Sequence, residues 1–249
     1  YNIDHQDRVK YLKTREGAFQ HFMRCLLNQM IDKNRLEQIM KRVEEEGLLD
    51  YDKLVFEMKR DPKSLENRLR KVLKSHRFPT KLSRAIVNNV KILETEYMGN
   101  IHNIYEQALK EYPEDKSKQV KKIWSALKNF DRVGSKVAGM FFRDMVRFEK
   151  EKVWDLPIEA LTDIPIPIDV RVRRVLHKLK YVENPNNTRE VRRAGKRLAE
   201  EVGLIPLILD EGLYAIGHKE ICGERKTHCE FCPLGRLGCP SLTTLSKND

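Results

Sequence analysis

VKKIWSALKNFDRVGSKVAGMFFRDM, residues 120–145, is the stretch on which the fold turns. Val120, Ile123, Trp124 and Leu127 share one helical face, and Val137, Met140, Phe141 and Met145 begin another just after Gly134. Two amphipathic helices are therefore predicted, with only Phe130 to Val133 between them. A tight turn that enters a helix at a glycine exposes the unpaired backbone N–H groups of the first turn, which is a ready anion site and suits a DNA phosphate. An ordinary corner between two helices reads the same way, and this segment alone does not separate the two.

The same periodicity extends outward in both directions. Phe19, Phe22, Met23, Leu26, Leu27 and Met30 recur at helical spacing, as do Leu36, Ile39, Met40 and Val43 before Gly47, and Leu82, Ile86, Val87, Val90 and Leu93 before Gly99. Alternating strand patterns are almost absent. The one stretch that alternates, Ile164 to Ile168, carries Pro165 and Pro167 and cannot sit inside a sheet. An all-α chain of about ten helices joined by short turns is expected. No internal repeat or low-complexity tract is visible. The Glu- and Lys-rich piece from Phe148 to Lys152 and the proline-rich stretch up to Asp169 form the expected inter-domain connection.

Composition narrows the partners. Lys and Arg number 48 against 37 Asp and Glu, a formal net charge of +11, which steers a protein toward polyanions and above all nucleic acid. Many soluble basic proteins share such a balance, so the charge supports that reading without deciding it. No apolar run is long enough to span a bilayer and no charged-then-apolar leader precedes Tyr1, so a soluble, cytoplasmic protein without a membrane partner is expected, nucleoid-associated if prokaryotic.

Four cysteines close the chain: Cys222, six residues, Cys229, two residues, Cys232, six residues, Cys239. Thiolates are soft ligands that favour iron-sulfur clusters and zinc. Zinc sites usually pair their ligands as two separate short hooks; here the close pair sits in the middle of the four, which tilts toward a cluster. Disulfides are disfavoured, because a chain of 249 residues has core enough to do without staples and a reducing compartment keeps thiols free. Cys25, in an apolar helix, is expected in the core. His218 and His228 flank the cysteine region and are expected to serve at its surface or behind its ligands.

Read in order, these segments resemble the helix-hairpin-helix DNA glycosylases of the endonuclease III superfamily. Leu26-Leu27-Asn28-Gln29-Met30-Ile31-Asp32 resembles that family's early helix ending in a Gln and an Asp, and His76-Arg77-Phe78-Pro79-Thr80-Lys81 the segment before its mid-domain helix. Phe130-Asp131-Arg132-Val133-Gly134-Ser135-Lys136 falls on its Leu-Pro-Gly-Val-Gly-x-Lys hairpin, Ile168-Asp169-Val170 on the segment bearing its catalytic Asp, and the terminal cysteines on its [4Fe-4S] loop. Three departures stand out. Arg132 replaces the hairpin's first glycine and Asp131 its proline, the last cysteine interval is one residue longer, and the distance from Lys136 to Asp169 is closer to that of the archaeal 8-oxoguanine glycosylases.

The resemblance implies an all-α, two-lobed helix-hairpin-helix glycosylase fold. Residues 20–160 would form a helical barrel domain with the hairpin near 119–148, and residues 1–19 plus 161–249 a second lobe carrying the cluster at 222–239, with DNA in the cleft between. It further implies a monomeric base-excision enzyme acting on a damaged or mismatched base in double-stranded DNA. Lys136 would be the nucleophile that forms a Schiff base and permits β-elimination, and Asp169 the carboxylate facing the cation-like sugar. Lys136 falls in the first turn of a helix, whose positive end disfavours an ammonium. Gln29 would fill the hole left by the flipped base, Arg77 would be a wedge, and Arg132, Val133, Gly134 and Ser135 would hold phosphate. Arg225 and Lys226 would add phosphate contacts on the cysteine loop. Plainer roles remain beside these. Lys136 could only contact phosphate, Gln29 could only end a helix, and Asp169 precedes Val172, Val175, Leu176 and Leu179 at helical spacing and so suits an N-cap, a role compatible with catalysis. A monofunctional glycosylase using Asp169 and activated water, or a non-catalytic iron-sulfur DNA-binding protein, are the alternatives.

Overall fold

The computed structural model describes residues 5–146, 152–217, 221–223, 228 and 232. These residues form twelve α-helices and two 3₁₀-helices and no strand, so the chain is all-α. The count exceeds the ten or so expected because the hydrophobic period passes over short breaks; Asp61-Pro62, for example, splits one apolar run into two helices. The chain divides into two compact units, 1–160 and 161–249.

The first unit begins with α1 (His5–Lys13) and α2 (Arg15–Leu27), joined by Thr14, whose hydroxyl accepts from the Gly17 N–H and caps α2. Next come α3 (Lys33–Glu45), α4 (Tyr51–Arg60) and α5 (Pro62–Val72), each capped by an Asp: Asp32, Asp50 and Asp61. Helix α3 stops at Gly47, as the pattern predicts: Gly47 adopts φ +65° and Leu48 N–H reaches back to the Val43 carbonyl at 2.8 Å. The long α6 (Pro79–Tyr97) follows the 3₁₀-helix Leu73–Ser75 and ends in the same way, with Gly99 N–H on the Leu93 carbonyl at 2.8 Å. Helices α7 (Asn103–Glu111), α8 (Lys116–Asn129) and α9 (Ser135–Val146) complete the unit.

Helix α2 packs on α9 and α1 on α2, while α5 lies along α6 and α7 along α8. Phe22 on α2 meets Phe141 on α9 edge to face at 5.6 Å, and Trp154, which is buried, stacks on Tyr105 at 5.8 Å. Each such large side chain contributes about 2–3 kcal/mol of burial. Residues 1–19, grouped from sequence with the C-terminal helices, fall in the first unit. The physical reason is local: α1 buries Val9 and Leu12, and Arg8 reaches Asp144 on α9 at 3.3 Å.

The 3₁₀-helix Ile158–Leu161 spans the division between the units, and the second unit continues with an irregular run in which Ile164, Ile166 and Pro167 are buried. Helices α10 (Val170–Lys178), α11 (Thr188–Glu201) and α12 (Pro206–Ile216) then pack pairwise on one another around Val172, Val175, Leu176, Val191, Leu209 and Leu213. Gly195 lets α11 approach the irregular run closely. A Cβ there would stand 2.7 Å from Ile166 Cγ2, too near for any larger residue.

Candidate functional site

Helix α8 ends where Phe130 turns into the core, packing on Phe22 at 5.1 Å and on Tyr97 at 5.9 Å. The chain reverses within Asp131 to Gly134, and Val133 N–H donates to the Phe130 carbonyl at 3.2 Å. Arg132 adopts φ +62°, the left-handed region that a glycine would enter freely, so arginine at this position has not removed the left-handed turn. The conformation costs a non-glycine residue about 1 kcal/mol. Surrounding side chains hold it. Asn89 on α6, a buried residue, accepts from the Asp131 N–H at 2.7 Å and donates to the Asp131 carbonyl at 3.1 Å; its neighbour Asn88 donates to the Asp131 carboxylate at 2.9 Å. Gln29, just past the end of α2, donates from one amide nitrogen to the carbonyls of Leu26 at 2.9 Å and Arg132 at 3.2 Å.

A third segment joins the same edge through His76. This buried ring reaches the Leu27 carbonyl from Nε2 at 2.9 Å and accepts the Phe78 N–H on Nδ1 at 3.1 Å. The pair of contacts assigns the proton to Nε2 of a neutral imidazole, and burial pushes the pKa of His76 down in the same sense. Arg77, between the two anchored residues, is exposed, with its guanidinium 5.5 Å from the centre of the Phe78 ring. The end of α2, the segment at 76–78 and the turn at 131–134 are thus tied together, though they lie far apart in sequence.

Helix α9 leaves this edge. Gly134 is exposed, and a Cβ built on it would meet nothing within 4 Å, so neither packing nor its φ requires glycine there. Ser135 and Lys136 occupy the first turn, both half-buried, and among the described residues no ion pair or hydrogen bond engages the Lys136 amine. Deeper along α9, Asp144 receives His21 Nε2 at 3.1 Å, Arg143 Nε at 3.0 Å and Arg8 Nη2 at 3.3 Å. Burial opposes charge on both members of the His21–Asp144 pair. Their attraction and the neighbouring Cys25, whose Sγ lies 3.7 Å from His21, outweigh it for the ring and push His21 up to about 10. The cations likewise hold Asp144 below the usual carboxylate range. Cys25 is buried, as its apolar helix predicts.

Asp169 belongs to the second unit and caps α10. Its Oδ1 accepts from Arg171 N–H at 2.8 Å and Val172 N–H at 2.9 Å, while Oδ2 lies 3.7 Å from Arg171 Nη1. The Arg171 guanidinium in turn lies over the Tyr214 ring at 4.7 Å. The start of the cysteine segment is held to the same helix: Arg174 donates to the carbonyls of Gly217 and Cys222, and Lys178 to that of Gly223 at 3.0 Å. Cys222 is half-buried and Cys232 buried, neither in a disulfide, and His228 N–H bonds the Ile221 carbonyl at 2.8 Å. The bonds from Arg174 and Lys178 hold the backbone at Gly217, Cys222 and Gly223, and cysteine sulfur is the soft donor that a thiolate-bound metal would take. Among the described residues no group of three His, Cys, Asp or Glu side chains converges as a metal site. Cys229, Cys239, Arg225 and Lys226 lie outside the described residues, as does His218.

Gln29, Arg77, Arg132, Val133, Gly134, Ser135 and Lys136 therefore fall in the first unit, and Asp169, Cys222 and Cys232 in the second. Asn88, Asn89 and His76 were missed from sequence as site-builders. A legible trace was the Asn-Asn pair interrupting the apolar face of α6 between Val87 and Val90. No protein-family model matches the chain, and no curated protein matches it. No helix of the described residues is long and apolar enough to cross a membrane.

Proposed function

We propose that the chain is a DNA base-excision glycosylase that forms a Schiff base through Lys136 and then cleaves the strand by β-elimination. The observation that carries this reading is the shared edge: Gln29, the 76–78 segment and the Arg132 turn tied by side-chain hydrogen bonds, beside a helix that begins at a bare glycine and carries a lysine amine in its first turn. Backbone N–H groups at the start of α9 would hold one phosphate of duplex DNA, with Arg132 adding a cation. A damaged or mismatched base is drawn from the stack, and the Lys136 amine attacks C1′ of its sugar. The N–C1′ bond forms as the glycosidic bond breaks; the base leaves with the electron pair and takes a proton. The sugar ring opens to an imine, and loss of a C2′ proton expels the 3′ phosphate. Asp169 would stabilise the positive charge that develops on the sugar as the base departs. A [4Fe-4S] cluster on Cys222, Cys229, Cys232 and Cys239, when bound, would supply a fixed loop for Arg225 and Lys226 rather than redox chemistry at the base.

The capping bonds of Asp169 favour one other reading, a non-catalytic DNA-binding protein, because they account for this carboxylate without any reaction. Borohydride trapping on duplexes that each carry one lesion separates the two. The wild type is expected to form a covalent adduct on at least one lesion, and Lys136→Gln, of similar length, to abolish the adduct and strand cleavage while binding DNA. Base excision by the wild type without any trapped adduct would make the enzyme monofunctional. Absence of excision on every lesion would leave the binding protein.

A further inference from the structure

Helix α11 turns Val191, Ala194, Leu198 and Ala199 into the core of the second unit and leaves Arg189, Arg192, Arg193, Lys196 and Arg197 exposed. The arrangement works against the helix. Arg189 and Arg193, Arg192 and Lys196, and Arg193 and Arg197 are like charges four residues apart, which repel across one turn. Glu200 and Glu201 occupy the last turn, which holds no basic residue, although the helix dipole favours cations there. Compensation inside the protein is slight. Glu190 accepts from the Glu183 N–H at 2.6 Å and so serves the preceding loop, and Lys196 meets Asp163 only at 3.4 Å with both side chains exposed. Arg197 is engaged by Glu201 at 3.7 Å and by the Tyr181 ring at 4.9 Å. Among the described residues no ion pair or hydrogen bond engages the side chain of Arg189 or of Arg193.

The same face defines what it can bind. It exposes no apolar residue, so it lacks the anchor on which protein interfaces centre, and the apolar side that a membrane-surface helix would insert is already buried in the core. A polyanion remains. Residues 170–199 carry ten Lys or Arg against two Glu, so most of the chain's net charge of +11 resides here. From Arg189 to Lys196 the strip runs about 10 Å along the helix, the rise of about three phosphates on one DNA strand, and the arginine fork grips phosphate oxygens in pairs. Resting on the proposed function for the choice of polyanion alone, we infer that the exposed face of α11 is a second DNA-backbone surface, one that needs neither the hairpin nor the cysteine loop. It contacts phosphates and not bases, so it holds undamaged duplex and reads no sequence.

Fluorescence anisotropy of a labelled, undamaged duplex, titrated with the full chain over a series of KCl concentrations, tests this surface. Each phosphate contact contributes about 0.9 to the slope of log affinity against log salt, so Arg189→Gln/Arg193→Gln is expected to flatten the slope by about 1.8 and to weaken binding more than about tenfold near 0.1 M salt. Glutamine is as good a helix former and relieves the repulsion, so the unfolding temperature is expected to hold or rise. Lys41→Gln/Lys110→Gln, at exposed positions of α3 and α7, removes the same net charge and is expected to leave the slope as it is. An equal fall in that control makes the effect one of total charge and overturns the surface, as does a wild-type slope in the α11 variant. Should the double variant fail to fold, Arg189→Gln and Arg193→Gln alone are each expected to flatten the slope by about 0.9, and no change in either overturns the surface. Vesicles of anionic lipid that hold the wild type and release the α11 variant, with duplex binding unaltered, would overturn it in favour of a membrane. An unchanged slope with borohydride trapping intact overturns the α11 surface alone, and a flattened slope without trapping or excision on any lesion overturns the glycosylase alone. A wild type that binds no duplex overturns both.

Discussion

Asp169 holds its helix with one carboxylate oxygen and leaves the other beside Arg171. The two roles separate by substitution. Asparagine is as good an N-cap as aspartate, so Asp169→Asn is expected to keep the stability of α10 within a few tenths of a kcal/mol, while Asp169→Ala loses about 1 kcal/mol. If the carboxylate charge stabilises the departing base's sugar, both variants lose base excision strongly and to a similar extent, whatever their stability. Thermal unfolding and single-turnover excision, measured on the same preparations, check this. Activity that follows stability instead, with Asp169→Asn near the wild type, would leave Asp169 a cap and nothing more. Arg132 makes the complementary case: a non-glycine residue holds a left-handed turn here because Asn88, Asn89 and Gln29 fix the residues around it.

At the level of elements, α9 is tied to α1 and α2 by a charge cluster around the buried Asp144, with His21 and Arg143 largely buried, Arg8 partly exposed and Cys25 Sγ beside the ring. His21 is pushed up to about 10, so its contribution to stability is full below its unfolded value of about 6.5 and is lost as pH rises through about 10. Asp144 is depressed, so its contribution is full above about 4 and is lost as pH falls below that. Thermal unfolding across pH is therefore expected to show stability declining from about pH 6.5 to 10, with Asp144→Asn about 3–5 kcal/mol less stable at neutral pH and flatter on both limbs. An unchanged alkaline slope in that variant would show that His21 draws its charge from elsewhere. The helices themselves were legible, because a 3.6-residue apolar period and the Gly47 and Gly99 stops are local facts of the sequence. His21, His76 and Asn89 were not, since a buried polar residue declares itself only by a partner that tertiary packing brings from far along the chain.

On the scale of the whole molecule, the break near residue 160 falls within the connection marked by proline and charge, but the placement of α1 was invisible: nine residues with two buried side chains carry too little pattern to name the face they cover. The lysine, the hairpin and the cysteine spacing were readable as candidate chemistry, whereas Met30, counted with the apolar positions of α2, lies past the end of that helix with a left-handed backbone that no periodicity foretells. The cysteine segment offers the most direct physical test of the proposed cofactor. Its first residues are pinned to α10 by Arg174 and Lys178, and Cys232 is buried, so ligation would complete an anchoring already begun by hydrogen bonds. Metal that binds the native segment and not the unfolded one stabilises it by mass action. Protein purified without oxygen is expected to be brown and to hold about four irons per chain. Cys232→Ser is expected to lose most of that iron and to be cut more readily by protease C-terminal to Gly223, the last carbonyl that Arg174 or Lys178 holds. A colourless preparation with one zinc per chain would replace the cluster with a tetrahedral ion, and wild-type iron in Cys232→Ser would remove Cys232 from the ligand set.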